Sequence, residues 1–152
     1  MSLLDAQIWN QRLFHGEWLP ATQSMPVTEV ATGEVLGQLG CATADDVAHS
    51  AMNAKQAQQA WAALPYQERA AVFERAAQLL TEHQPEIIDW LVRESGSIQL
   101  KAGFETHISL QILKHCSALP ASEQGSILPT QTGKISLAKR VPLGVIGVIS
   151  PF

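Results

Sequence analysis

A chain of 152 residues, 46% hydrophobic and 16% charged, has the makeup of a folded globular protein and not of a disordered one. Its net charge of -4, with no basic cluster beyond Lys134, Lys139 and Arg140, argues against a nucleic-acid partner. No run reaches the ~18 apolar residues of a membrane span, the start Met1-Ser-Leu-Leu-Asp5 lacks the apolar core of a signal peptide, and two cysteines are too few for a disulfide framework, so a cytoplasmic location is expected.

Residues 1–12 read as a loose lead-in. Residues 13–19 have apolar arms around His15-Gly16, the pattern of a short hairpin. Residues 20–26 read as irregular. Val27-Thr-Glu-Val30 and Glu34-Val-Leu36 flank Ala31-Thr32-Gly33, a turn in which glycine supplies positive φ, so a small antiparallel sheet is expected. Thr43 can cap a helix that has Asp45 and Asp46 in its first turn, where the helix dipole favours acids. Val47, Ala51, Ala54 and Trp61 share a face of it, small enough for a neighbour to pack close, and Leu64-Pro65 breaks it.

A second helix is expected from residue 67 to residue 83, with Ala70, Phe73, Ala77 and Leu80 on one face. Pro85 suits the first turn of a third, residues 86–95, and Gly96 is its natural stop. A fourth covers residues 99–119, ended by Pro120. Its Leu100, Phe104, Ile108, Ile112 and Cys116 recur every four residues, which predicts a core-facing stripe.

From Gly125 the texture changes. Ile127-Leu128-Pro129 and residues 134–140 read as strands separated by Gln131-Thr-Gly133. Ile135 and Leu137 alternate with Ser136 and Ala138, which suits an exposed or partner-covered antiparallel ribbon. Residues 143–149 are apolar on both faces, with Val145, Ile146, Val148 and Ile149 β-branched, and they predict a strand buried on both sides of a parallel sheet. Gly144 and Gly147 leave room for a neighbouring backbone, and Ser150-Pro151 stops the strand. Ligands of open α/β sheets bind beyond the carboxyl ends of strands, so a binding loop is expected here and the chain reads as incomplete.

No catalytic constellation can be assembled from these residues. His115 precedes Cys116, but adjacent helical residues point about 100° apart, so it is poorly placed as a base for that thiol. Cys116 also continues an apolar stripe, and Cys41 precedes a helix cap; both read as structural. His15, His49, His83, His107 and His115 lack metal-ligand spacing, and no metal site is expected. Glu105 and His107, two apart on a helix, do not face each other. Arg93-Glu94-Ser95-Gly96 reads as a solvated helix end in preference to an ion-pair site. Gly144 and Gly147 lie inside the predicted strand and make a poor phosphate loop.

Several stretches nevertheless agree on one family. Phe14-His-Gly-Glu-Trp18, Ala31-Thr-Gly-Glu34, Ala42-Thr-Ala-Asp-Asp-Val47, Ala60-Trp61, Glu68-Arg69, Arg93-Glu-Ser-Gly96 and Pro142-Leu-Gly-Val-Ile-Gly-Val-Ile-Ser-Pro-Phe152 follow one another at the approximate spacing of the start of an NAD(P)-dependent aldehyde dehydrogenase. The last resembles the family's strand leading to Pro-Trp-Asn-Phe-Pro, cut before the Asn. Asp89-Trp90, Arg93 to Ile98 and Gln124-Gly to Pro129 most resemble the benzaldehyde dehydrogenase branch, which oxidises aromatic aldehydes. The chain departs from the family where Glu29-Val30 replaces Asn-Pro, where Ser97-Ile98 replaces Lys-Pro, and where Phe152 replaces Trp.

The resemblance implies an α/β fold of the aldehyde dehydrogenase kind. Residues 1–124 would be the small strands and helices of the cofactor-binding domain. Residues 125–141 would be part of the oligomerisation arm, and residues 142–152 the truncated first core strand of the Rossmann-like sheet. It implies NAD, with NADP possible, contacted by Ile149, Ser150, Pro151 and Phe152. Ile108 and Ile112 become candidates for the aldehyde tunnel, although core packing is the preferred reading of both. In the family a Cys thiolate attacks the aldehyde, an Asn and a backbone N–H hold the oxyanion, hydride leaves to the nicotinamide, and a Glu activates water to hydrolyse the thioester. Those groups lie downstream of Phe152, so this chain is expected to carry no catalytic residue and to be inactive by itself. A homo-oligomer, dimer or tetramer, is expected of the whole. The alternatives are a natural truncation that acts as a non-catalytic interaction module, and an unrelated helical binding domain.

Overall fold

Residues 2–150, which the computed structural model describes, form three separate two-stranded antiparallel sheets and four long helices. The first surprise is the N-terminus. The Asp5 carboxylate accepts the Gln7 N–H at 2.9 Å and starts a short helix, α1 (Ala6–Trp9). The segment before it is tied to a residue more than eighty positions away. Leu3 N–H and Leu4 N–H donate to the Glu86 carboxylate at 3.0 and 2.8 Å, and the Ser2 hydroxyl donates to it as well. Trp9 packs edge-to-face on Trp90, ring centroids 5.6 Å apart, and its indole N–H donates to Leu4 O at 3.0 Å. Residues 2–12 are therefore a docked strap and not a loose lead-in.

The expected hairpin forms from β1 (Arg12–Phe14) and β2 (Trp18–Pro20). The second sheet, β3 (Gln23–Thr28) and β4 (Val35–Cys41), begins earlier than the sequence suggests and absorbs residues read as irregular. Pro26 sits within β3, which pairs with a strand on one side only, and an edge strand tolerates proline's missing N–H. The turn between them is set by Gly33, at φ 79°. Gly40, buried in β4, lets the hairpin approach: a Cβ there would lie 2.5 Å from Arg12 O and 2.8 Å from the Ala21 Cβ.

The helices follow their local signals. α2 (Ala44–Ala63) opens with a capping box: Thr43 Oγ1 accepts Asp46 N–H at 3.2 Å while the Asp46 carboxylate accepts Thr43 N–H at 2.8 Å. α3 (Tyr66–Glu82) follows Pro65. α4 (Gln84–Ser95) carries Pro85 in its first turn and ends at Gly96, left-handed at φ 68°. α5 (Gln99–Ala118) runs into a single 3-10 turn, Leu119–Ala121. No helix of the described residues is long and apolar enough to cross a membrane.

The core lies where α3, α4 and α5 meet, at Ala77, Ala102 and Thr106. The Thr106 hydroxyl donates to Ala102 O at 2.7 Å, so this buried polar group is satisfied. Small residues let α5 come close to its neighbours, and this choice of face overturns the predicted core stripe. Ala102 and Thr106 stand two residues, about 200° around the helix, from Phe104 and Ile108. Leu100, Phe104, Ile108 and Ile112 are exposed as a result, and Cys116 is half-buried.

The ribbon pairs as expected with shifted bounds, β5 (Gly125–Leu128) starting earlier than Ile127 and β6 (Ser136–Lys139) shorter than 134–140, in the register Ile127 opposite Leu137. Both of those side chains are exposed, as is Ile135. Residues 141–150 form no strand. A buried parallel strand exists only between ladder partners, and none of the three sheets of the described residues offers a parallel one.

Candidate functional site

The sequence places function at the end of the 143–150 segment, and the fold shows what lies beside it. Val145, Ile146 and Gly147 run along one side of a cleft of about 400 Å³. The same cleft is lined by Val47, Ser50, Ala51 and Ala54 of α2 and by Leu13 and Phe14 of the hairpin. Polar groups gather at the mouth, where His15 and Asp46 line the same cleft. Asp46 is held below the usual carboxylate range by hydrogen bonds from the Thr43 backbone and hydroxyl, with smaller help from the fields of His15 and His49. His15 Nδ1 is buried and has no hydrogen-bond partner among the described residues.

Beyond the cleft, Ile149 is 96% exposed, and Ser150 is exposed beside it. Pro151 and Phe152 lie outside the described residues. Ile108 and Ile112, the tunnel candidates, sit on the exposed side of α5 and do not line this cleft. The fold therefore does not bring the two predicted groups into one pocket.

Two nodes escaped the sequence reading. Arg93 is not a freely solvated helix end: its Nε donates to Glu29 Oε1 at 2.8 Å, and Asp89 Oδ2 lies 3.9 Å from its Nη1. Val30 N–H also donates to Arg93 O at 3.0 Å, so the β3–β4 turn is clamped to the end of α4. Hydrogen bonds from Thr32 and then Arg93 hold the Glu29 carboxyl below its ordinary range, and Glu29 in turn holds the Arg93 guanidinium more firmly protonated. The departure from Asn-Pro to Glu29-Val30 and the Arg in Arg-Glu-Ser-Gly are thus two halves of one contact. The departure at Glu29 was the one signal in the sequence that pointed to it. The second node is Glu86, brought down to about 2 by the hydrogen bonds of Ser2, Leu3 and Leu4, with His83 Nδ1 at 3.1 Å.

Neither free thiol has an imidazole or carboxylate among its hydrogen-bond partners in the described residues; Cys41 Sγ reaches only Leu39 O, at 3.9 Å. Among the described residues no three His, Cys, Asp or Glu side chains gather as metal ligands. What the described residues present at this end is an exposed branched side chain, Ile149, next to the Ser150 hydroxyl.

Residues 18–152 match the model of the aldehyde dehydrogenase family, and the chain belongs to that family. It is 48% identical over 153 residues to vanillin dehydrogenase of Amycolatopsis sp., covering 100% of this chain and 32% of that relative. It is 37% identical over 150 residues to a benzaldehyde dehydrogenase of Pseudomonas putida named for NAD(+), covering 97% of this chain and 31% of the relative. A solved NAD-dependent benzaldehyde dehydrogenase from Corynebacterium glutamicum superposes with a TM-score of 0.76 at 31% identity, over 88% of this chain and 29% of that one. The chain spans about a third of the length of the curated relatives it matches.

Proposed function

We propose that the complete protein oxidises an aromatic aldehyde, of the benzaldehyde or vanillin kind, to the carboxylic acid through a Cys thiohemiacetal and thioester, with NAD or NADP as hydride acceptor. The observation that carries this reading is the 48% identity to vanillin dehydrogenase across the full length of this chain, with a benzaldehyde dehydrogenase next. This chain contributes structure and one wall of a site. Residues 1–124 build the opening part of the cofactor domain, residues 125–141 an arm segment that pairs between subunits of a homo-oligomer, and residues 142–152 the first core strand. No catalytic group comes from this segment, which is inactive by itself, and the protein works in the cytoplasm.

The fit to a dinucleotide is partial. An exposed β-branched side chain at Ile149 and the Ser150 hydroxyl suit the apolar and ribose-like parts of such a ligand. When bound, the nicotinamide supplies a hydride acceptor. Ile149 and Ser150 would flank it, Pro151 and Phe152 are proposed as further contacts on the family resemblance, and its phosphates need donors from elsewhere in the protein.

The test is a steady-state assay of the complete protein with benzaldehyde, vanillin and propanal, each with NAD and with NADP, following dinucleotide reduction. The expected result is a kcat/KM for the aromatic aldehydes at least about tenfold above that for propanal, the scale on which apolar pockets discriminate. A preference for propanal, or no dinucleotide reduction with any aldehyde, overturns the reading.

A further inference from the structure

The chain has four tryptophans, and Trp9, Trp18 and Trp90 line one groove of about 420 Å³ between the strap, the hairpins and α4. Trp9 and Trp90 meet at an interplanar angle of 80°, with ring centroids 5.6 Å apart, so they form a corner and not a stack. Trp18 is steadied by Phe14, whose ring centroid lies 5.2 Å from its own. The indole N–H of Trp9 is spent on Leu4 O, so this residue offers a guest its ring and no donor. Leu39 and Ile87 add apolar surface. Trp18 is 41% exposed, which leaves the groove open to solvent.

The charge of the groove is negative. Glu94 is the one ionisable residue lining it, and it stands one turn beyond Trp90 on the same face of α4. Among the described residues its carboxylate has no ion pair. The adjacent Arg93 is already engaged by Glu29 and Asp89. One turn before Trp90, the Glu86 carboxylate is taken up by the strap.

We propose that this groove binds a small quaternary ammonium compound, with the cation against the indole rings and Glu94 as its counter-charge. Indole faces are electron-rich and attract a cation, the more so where water is partly excluded. A methylated ammonium carries its charge under an apolar shell, so it suits Leu39 and Ile87 as well as the rings. A primary ammonium would bring N–H donors for which the groove has a single carboxylate. A neutral guest would cost Glu94 part of its water and return nothing. A metal ion would need several oxygen ligands, and no such group gathers among the described residues. The volume is within the range of small-molecule sites. The proposal does not rest on the aldehyde reading, because no residue of the 143–152 segment takes part.

The experiment titrates the complete protein with choline, at constant ionic strength, by calorimetry and tryptophan fluorescence. The control is its neutral carbon isostere, in which a tert-butyl group replaces the trimethylammonium. Choline is expected to bind at least about tenfold more tightly than the isostere, the scale of a partly desolvated cation–π contact. Glu94→Gln should weaken choline about tenfold and leave the isostere unchanged, and Trp18→Leu, at the exposed rim, should also weaken choline. Both variants should keep the parent kcat/KM for benzaldehyde. No binding of choline up to about 20 mM, or equal binding of the isostere, overturns the proposal. Choline binding that neither variant weakens lies elsewhere in the protein and overturns it as well.

Discussion

Residues 2–118 are tied by hydrogen bonds between partners far apart in sequence, whereas among the described residues the hydrogen bonds of 125–150 stay within the local stretch 124–140. In the first region Glu86 grips the backbone of residues 3 and 4, Arg93 grips Glu29, and Asn10 accepts the Gln38 N–H at 2.7 Å. In the second, the strands β5 and β6 pair locally, Arg140 N–H reaches Gln124 O at 2.8 Å, and the apolar side chains point outward. Both regions are rich in branched apolar residues. The difference lies in whether those residues meet their partners within the described chain.

Substitutions can break or sharpen that contrast. Gly40→Val should have the largest effect on stability, costing about 3 kcal/mol, because its branch would meet backbone that cannot move aside. Thermal unfolding of the complete protein measures it, and a melting point equal to the parent's would mean the hairpin is not fixed on β4. Trp9→Ala should cost about 2 kcal/mol by removing one partner of the ring pair, read by denaturant titration. A loss no larger than that of an exposed residue would mean the strap does not dock.

From the open region, Ile149→Asp should weaken NAD binding about tenfold and leave the melting point and the KM for benzaldehyde near the parent values. Equal effects on cofactor and aldehyde would remove Ile149 from cofactor contact. Glu86 offers a gentler probe. Its carboxyl is lowered in the fold to about 2 from an ordinary 4.5, so its contribution is whole above pH 4.5 and is lost as pH falls from there toward 2. Glu86→Gln should lack that part of the acid slope, followed through tryptophan fluorescence of the Trp9–Trp90 pair; a parent and variant with the same slope would place the strap's anchor elsewhere. Smallest of all, Leu137→Lys should change the melting point by less than about 0.5 kcal/mol equivalent while reducing oligomer mass in solution. An unchanged mass would remove the ribbon from the subunit contact.

Much of the first region was legible because its signals are local. Thr43 with Asp46, Pro85 and Gly96 each act within a few residues, and the helices they bound start and stop within a residue or two of the expected places. What escaped depends on distance. Nothing in Ser2-Leu3-Leu4 points to Glu86, and nothing in Pro26 says that β3 has an open edge. The α5 stripe failed for a different reason. Periodicity shows that Leu100, Phe104, Ile108 and Ile112 share a face, but not that Ala102 and Thr106 on the far side let the neighbouring helices come closer. The family was legible from motif order along the chain. The candidate site was legible only as a strand end, since α2 as its neighbour is a matter of packing.

The Glu86 anchor also sets an order of events during synthesis. Leu4 emerges 82 residues ahead of the carboxylate that captures it. At ordinary elongation rates that interval is roughly ten seconds, during which the strap and Trp9 have no partner in α4. The strap is thus fastened to α4 only after both hairpins and two long helices have been made, while Trp9 already meets β4 at Gly37.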